Sequence, residues 1–454
     1  MIAAARIAAY EVLRAVNSGR SDLPAALAKV RPRLDDERDR ALAGEIATGT
    51  LRWQGAFDVV ISAFSGRAAS KLDPEVLDVL RMTAFQLLHL DRVPASAAVN
   101  DAVNLVRKEG KKSAAGLVNA VLRRISRERR RLPLPARPGN PAADRAASLA
   151  YLSSTLSHPE WLAARWLDRY GFEAAEAWTL FNNQPAALTL RTNSLRTTRE
   201  ALAAALAAAG VETEPARFAP NGLVVRSGNP LLTPLASAGV FIVQDESSQL
   251  VALLTGVTPG ERVLDACASP GGKTTAMAAA MENRGVIVAT DVRGRRVDLL
   301  AHAVAAAGAT SVRVVQADAA GALPFGGSFD CVLLDAPCSG LGTVRRDPEI
   351  RWRRSEGSLE SLAATQLTML RQAAAVIQPG GRLIYATCSS EPEENEEVVA
   401  RFLADRDDFA SRPVQLPPDL DRFRTPAGHF RSFPFRDRLE PFFAAMLVKT
   451  KDLR

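Results

Sequence analysis

From about residue 241 onward, short apolar runs rich in β-branched residues alternate with segments of helical period. "ERVLDACA" reads as a strand and "GKTTAMAAAME" as a helix, and "GVIVATD" with "RRVDLLAHAVAAAG" repeats the pair. "SVRVVQAD", "FDCVLLDAP" and "GRLIYATCS" are further strands, with the helix "SLAATQLTMLRQAAAVI" between the last two. Strands that are apolar throughout are buried on both faces, and strands separated by helices pair in parallel. The pattern predicts an α/β, Rossmann-like, doubly wound sheet over 241–454. Ligands bind such sheets at the carboxyl ends of the strands, which is where chemistry should lie.

The first strand runs into "DACASPGGKT" (265–274), a Gly-rich turn that opens a helix. It is not a phosphate loop, because the Walker pattern needs a glycine where Cys267 stands. Backbone amides in such a turn can meet a ligand carboxylate at a helix N-terminus, although Gly-rich turns also serve structure alone. An acid at each successive strand end sharpens the signal. Asp265 ends the first strand, Asp291 the second and Asp318 the third. Asp291 suits ribose hydroxyls and Asp318 an adenine amine. The set predicts an adenosine-type cofactor, S-adenosylmethionine (SAM).

The fourth and fifth strands end in "LLDAPCSG" (333–340) and "YATCSSEPEEN" (385–395). Asp335, Cys338 and Cys388 are thus expected near the cofactor cleft. A thiolate that adds to C6 of a pyrimidine makes C5 nucleophilic toward a sulfonium methyl, and a carboxylic acid can assist at N3. One cysteine must attack, and a second thiol can help the adduct break down. A free thiol has a pKa of about 8.5, so the nucleophile needs a neighbour that favours its thiolate. The alternative is that each cysteine is a small buried residue, as expected for Cys331 in "DCVLL".

Residues 1–131 read as helices, including "AARIAAYEVLRAV", "DPEVLDVLRMTAFQLLHL", "SAAVNDAVNLVRK" and "SAAGLVNAVLRRISRERRR", with Asp73 and Ser96 as N-caps. Residues 1–145 carry a net charge of +9, while the whole 454-residue chain carries +7. A basic front end suits a polyanion partner. Arg123, Arg124 and Arg127 are candidate phosphate contacts, or else a solvated helix end. "RRDPEIRWRR" (345–354) surrounds a tryptophan with arginines, and Arg345, Arg346, Arg351 and Trp352 are candidates for RNA phosphates and base stacking. "LPLPARPGNP" (132–141) contains four prolines and marks a linker, taken as 132–146. Residues 147–240 mix helices with short strands, a small α+β module; in it, Thr197 and Glu200 form a capping-box pattern.

The four cysteines and four histidines lack metal-ligand spacing, so no metal is expected. No apolar run reaches membrane-spanning length, and "MIAAARIAAYEVLRAV" reads as a helix rather than a signal peptide. The cysteine usage suggests a reducing cytoplasm, and the chain is expected to act as a monomer.

These motifs resemble those of the RNA cytosine-5 methyltransferases. "DACASPGGKT" is similar to that family's SAM-binding motif, "DAPCSGLGTVRRDPEIRW" to its motif with the release cysteine, and "YATCSSEPEENE" to the motif with its nucleophile. The front end, with "ERDRALAGEIATGTLRW" and "GLVNAVLRRI", resembles the NusB-type RNA-binding domain. "SHPEWLAARWLDRYG", "RTNSLR" and "FIVQDESSQLV" resemble the middle segment of the bacterial RsmB (Sun, Fmu) subfamily, which methylates one cytosine of small-subunit (16S) ribosomal RNA. The resemblance implies that Cys388 attacks and Cys338 promotes release. It further implies that Cys267, Ala268, Ser269, Pro270, Gly271, Gly272, Lys273, Asp291, Asp318 and Asp335 contact SAM, with Asp335 also facing the base. Two departures stand out. Ser269 replaces the usual second alanine of the turn, and "FRSFPFRDRLEPFFAAML" lacks a His- and Gly-containing stretch. The rival readings are an enzyme for transfer RNA or another ribosomal cytosine, a non-catalytic NusB-like antitermination factor, and a methyltransferase for proteins or small molecules.

Overall fold

The computed structural model describes residues 2–326 and 328–450. The chain divides into two compact units. One comprises the residues up to Pro185 together with Val344–Glu356; the other comprises Ala186–Thr343 and the residues from Gly357.

The first unit is helical. Its front part contains the helices Ala4–Asn17, Glu37–Arg52, Gln54–Ser65, Pro74–His89, Ala95–Lys108 and Ala115–Arg127. Their apolar stripes supply one core, in which Leu13, Ile46, Leu80, Leu122 and Ile125 are fully buried. Each such side chain contributes about 2 kcal/mol of burial. Arg6 crosses the packing, donating to Gln86 Oε1 at 2.7 Å and Asp101 Oδ2 at 2.5 Å. Two expected caps differ. Asp73 stands at its helix N-cap without a capping bond and pairs instead with Lys111 Nζ at 2.8 Å. The later helix is entered through Pro94 rather than Ser96.

The Pro-rich stretch is irregular, and the next helices, Glu160–Tyr170 and Phe172–Asn183, remain in the helical unit. Trp166 and Trp178 stack there at 4.5 Å. The expected 147–240 module is therefore divided at residues 185/186: the helices Glu160–Tyr170 and Phe172–Asn183 belong to the first unit, and the strands with the helix Arg199–Ala208 to the second. Periodicity identifies such helices but not the core that takes their apolar face.

Val344–Glu356 is woven into the same helical unit. Arg351 is fully buried; its Nη1 donates to Ser157 O (3.1 Å) and Asn183 Oδ1 (2.9 Å), and its Nη2 to Asn182 O and Val344 O (both 3.2 Å). Burial, then the charge of Arg52, lowers its pKa to about 9. Trp352 Nε1 donates to Leu51 O at 2.8 Å, and its ring occupies the space that a side chain at Gly55 would need. Glu349 Oε1 accepts from Leu23 N at 2.9 Å. The expectation that Arg351 and Trp352 meet RNA is corrected: Arg351 is fully buried with both terminal nitrogens on protein oxygens, and Trp352 is half-buried with its Nε1 on Leu51 O and its ring packed at Gly55.

The second unit begins with strands β1 (Thr189–Thr192), β2 (Glu212–Pro215), β3 (Gly222–Ser227) and β4 (Phe241–Val243). They form an antiparallel sheet in the order β2-β3-β1-β4. The helix Arg199–Ala208 is capped by Thr198, one residue after the expected Thr197.

The large sheet follows: β5 (Arg262–Asp265), β6 (Val286–Asp291), β7 (Val312–Gln316), β8 (Phe329–Asp335), β9 (Ile377–Thr387), β10 (Phe409–Arg412), β11 (Phe430–Arg431) and β12 (Phe443–Lys449). Its order is β10-β12-β9-β8-β5-β6-β7, with β11 beside β12. β5 to β9 pair in parallel, while β12 runs antiparallel to β9. Alternate residues feed two cores, Leu264, Val332, Leu334 and Leu383 on one side, Val263, Leu333 and Ile384 on the other. This two-sided burial is why the strands read as continuous apolar runs. The chain moves outward from β5 through β6 to β7, then returns to β8 on the other side of β5. The carboxyl ends of β5 and β8 therefore flank the switch point at which such folds bind ligands.

Candidate active site

The turn after β5 is built for close approach. Gly271 has φ +102° and precedes the helix Gly272–Ala280; a Cβ there would press on Leu300 Cδ1 at 3.0 Å. Arg191, from β1, clamps the turn by donating from Nη1 to Gly272 O at 2.5 Å and from Nη2 to Thr275 Oγ1 at 2.7 Å. Asp265 is buried. Its Oδ2 accepts from Thr274 Oγ1 at 2.7 Å, while its Oδ1 has no partner. Burial foremost, then repulsion from Asp335, raises its pKa to about 7. Ser269 Oγ is also buried without a partner. A glycine cradle with unpartnered polar atoms at a helix N-terminus fits the polar end of an amino-acid-bearing cofactor.

Asp291 ends β6, buried, with Arg296 Nε 3.3 Å from its Oδ2; Arg296 Nη2 also donates to Ser269 O at 2.9 Å. Asp318 lies just past β7, exposed, its Oδ1 accepting from Ala320 N at 2.9 Å. Both acids thus stand at the same edge of the sheet as the turn. Cys267 is half-buried, and burial, then Asp265, pushes its thiol above the ordinary range.

On the other side of the switch point, Lys273 Nζ lies 2.6 Å from Asp335 Oδ2. Burial opposes the lysine's charge, but attraction to Asp335 outweighs it and the pKa stands above its ordinary value. The β8–β9 register pairs Asp335 with Ala386, so the two chains leave the sheet side by side. Ala336 N donates to Ala386 O at 2.8 Å and Gly342 N to Cys388 O at 2.9 Å. Any side chain at Gly342 would collide with the carbonyls of Pro441 and Cys388. The result is that Cys338 Sγ and Cys388 Sγ lie 3.3 Å apart, both half-buried. The hydrogen bond with Cys388, together with burial, raises the Cys338 pKa well above its ordinary value. Cys331, by contrast, is fully buried in β8, its thiol pushed up to about 12 by burial.

Three contributors were not singled out in the sequence. Arg191 and Arg296 brace the turn, and Glu394 links the two cysteine loops. Glu394 Oε1 accepts from Ser339 N (2.7 Å) and Gln366 Nε2 (2.9 Å), and Oε2 from the hydroxyls of Ser339 and Ser389 (both 2.5 Å). The only signal was its place in "CSSEPEEN", where a solvated helix start was an equally good reading.

The candidate RNA contacts sit in the helical unit. Arg123, Arg124 and Arg127 are exposed on the helix Ala115–Arg127, and Arg107, Arg123 and Arg127 line an open groove of about 740 Å³. Arg346 is exposed. Arg345 is half-buried over the Phe181 ring and donates to Pro185 O at 2.7 Å. No helix among the described residues is long and apolar enough to cross a membrane.

Comparison with known proteins identifies these parts. The NusB family matches residues 3–127, the RsmF/B-like ferredoxin-like domain residues 158–231, and the 16S rRNA methyltransferase RsmB/F family residues 252–448. The chain is 35% identical to the probable ribosomal RNA small subunit methyltransferase B of Bacillus subtilis (strain 168), over 91% of each. It is also 35% identical to the ribosomal RNA small subunit methyltransferase B of Pseudomonas putida (strain KT2440), over 88% of each. Among solved structures, PH0851 matches with a TM-score of 0.82 and 27% identity, over 99% of both chains. A methyltransferase homolog protein from Pyrococcus horikoshii matches at 0.57 and 27%, covering 67% of this chain and 99% of its own. With relatives above 30% identity along most of its length, the chain belongs to the RsmB/F family of SAM-dependent RNA methyltransferases.

Proposed function

We propose that this enzyme makes 5-methylcytosine in small-subunit ribosomal RNA through a covalent adduct between Cys388 and C6 of the base. The observation that carries the reading is the pair of thiols 3.3 Å apart at the ends of adjacent parallel strands, beside the Lys273–Asp335 pair. Two sulfurs in contact suit a reaction in which one forms a bond that the other helps to break.

The Cys388 thiolate adds to C6, and the displaced π electrons collect at C5. Asp335, at the rim of the same cleft, is the carboxylate of an ion pair; it would accept from the N4 amine beside N3 and hold the ring for that addition. The raised pKa of Cys338, set by its hydrogen bond with Cys388 and by burial, keeps its proton in place and suits it to the release step. SAM supplies an electrophilic methyl group, which C5 takes. With the cofactor leaving as its demethylated thioether, water takes the C5 proton, which restores the double bond and expels the Cys388 thiolate, toward which Cys338 can donate. The Cys267–Lys273 turn would hold the cofactor's amino-acid end, Asp291 the ribose hydroxyls and Asp318 the adenine amine.

Arg123, Arg124 and Arg127 would meet RNA phosphates along the helical unit's groove, with Arg346 as a further contact. In this reading the enzyme works as a cytoplasmic monomer.

The test is to incubate wild type, Cys338→Ala and Cys388→Ala with SAM and 16S ribosomal RNA and to run denaturing gels. An adduct that accumulates only in Cys338→Ala, with Cys388→Ala inert, is expected. Trapping by Cys388→Ala instead would reverse the two roles. No methyl transfer by wild type, with methylation of transfer RNA, would overturn the substrate.

A further inference from the structure

We propose that Glu394 is a positioning residue that holds the two cysteine loops at their working separation, an inference that rests on the two-cysteine reading above. Glu394 is a carboxylate with no exposed surface. A buried carboxylate persists only when hydrogen bonds replace its water. Here four donors fill its two oxygens: Ser339 N at 2.7 Å, Gln366 Nε2 at 2.9 Å, and the hydroxyls of Ser339 and Ser389 at 2.5 Å each. That is the acceptor pattern of a carboxylate; a carboxamide of the same shape keeps the acceptor toward Ser339 N and Gln366 Nε2 but obliges both serine hydroxyls to reverse and accept, so the two serines no longer donate to one shared oxygen.

The donors are placed with respect to the chemistry. Ser339 directly follows Cys338, and Ser389 directly follows Cys388. Gln366, on the helix Ser358–Ala375, also donates to Pro337 O at 3.0 Å, the residue before Cys338. The backbone of Glu394 is anchored separately, its carbonyl accepting from Tyr385 Oη at 2.6 Å. Asn395, the next residue, donates to Ser389 O at 3.0 Å. One carboxylate therefore joins loops that are fifty residues apart in sequence. The sulfurs they carry lie 3.3 Å apart. A reaction handed from one sulfur to the other depends on that distance, since a misplacement of about 1 Å can cost ~100-fold in rate.

The experiment measures the separation directly, without RNA or SAM. The full chain is treated with diamide, whose N=N bond takes up the two thiol hydrogens as the Cys338–Cys388 disulfide forms. Peptide mass spectrometry locates the bond. Glu394→Gln is expected to slow its formation at least tenfold from pH 7 to 10, with SAM affinity and far-ultraviolet circular dichroism unchanged; Ser389→Ala, which removes one donor, falls between. With RNA, Glu394→Gln is expected to lower kcat more than KM and to accumulate adduct, with partial recovery in Glu394→Asp. Wild-type disulfide rates in a folded Glu394→Gln overturn the proposal. So does a difference that disappears at high pH, because the effect is then on thiol ionisation rather than distance. If Glu394→Gln does not fold, Ser389→Ala carries the test, and a wild-type rate there overturns it. Slow disulfide formation combined with an adduct trapped by Cys388→Ala supports the brace and overturns only the assignment of cysteine roles.

Discussion

Lys273 and Asp335 form an ion pair of 2.6 Å across the switch point of the large sheet, joining the glycine turn after β5 to the cysteine loop after β8. The side chains are 12% and 27% exposed, so the pair is partly shielded from water and both partners depend on it. Lys273→Met is expected to destabilise the enzyme by up to about 3 kcal/mol, because it strands a half-buried carboxylate. It should also reduce methyl transfer by about 100-fold or more. Thermal unfolding and single-turnover methylation check this; a stable variant with wild-type turnover would remove Lys273 from the site.

The two thiols differ in what they should do to turnover. Cys388→Ser is expected to lower turnover by at least ~1,000-fold while leaving SAM affinity unchanged, since in the proposed reaction this residue attacks the base rather than holding the cofactor. Equilibrium titration of SAM beside rate measurements separates the two. A parallel loss of SAM binding would show that the variant disturbs the cleft itself.

Asp265 imposes a pH dependence on stability. Its pKa is raised in the folded state to about 7, against an ordinary 3.8. A raised pKa means that the folded state holds the proton more tightly. Its contribution is complete below about pH 4 and is lost as the pH rises through 7. Asp265→Asn should therefore abolish a decline in stability between about pH 4 and 7 that wild type shows. Urea unfolding of the cofactor-free enzyme at several pH values gives the answer, and identical slopes in both proteins would disprove the assignment.

Arg351 and the exposed arginines should separate cleanly. Arg351→Met leaves buried carbonyls of Ser157, Asn182 and Val344 without their donor, at a cost of about 1–3 kcal/mol for each group left unpaired. It should lower the melting temperature with little change in the salt dependence of RNA binding. A shallower salt slope in a folded Arg351→Met would restore it as a phosphate contact.

Arg123→Ala with Arg127→Ala should do the reverse. Stability should hold, while RNA affinity falls and the slope of log K against log salt becomes shallower by roughly 1.4–1.8 for two lost phosphate contacts. Filter binding across a salt series measures it. An unchanged slope would place the RNA elsewhere on the molecule.

The sequence by itself determined the parallel sheet, because strands buried on both faces must be apolar throughout, as Val263–Leu264 and Val332–Leu334 are. It also placed the candidate groups at one edge, because Asp265, Asp291 and Asp335 end their strands, Cys338 and Cys388 follow β8 and β9, and parallel strands bring their carboxyl ends together. The tertiary structure alone decided how residues distant in sequence are used. "RRDPEIRWRR" has the composition of an RNA-binding loop, yet Arg351 is sealed among backbone carbonyls of the helical unit, since a guanidinium satisfies protein acceptors as readily as phosphates. Glu394 reads locally as an ordinary acid before the helix Glu396–Ala404. Only the approach of Ser339 and Ser389 makes it the link between two loops, and such an approach is set by the register of β8 on β9, which no local pattern encodes.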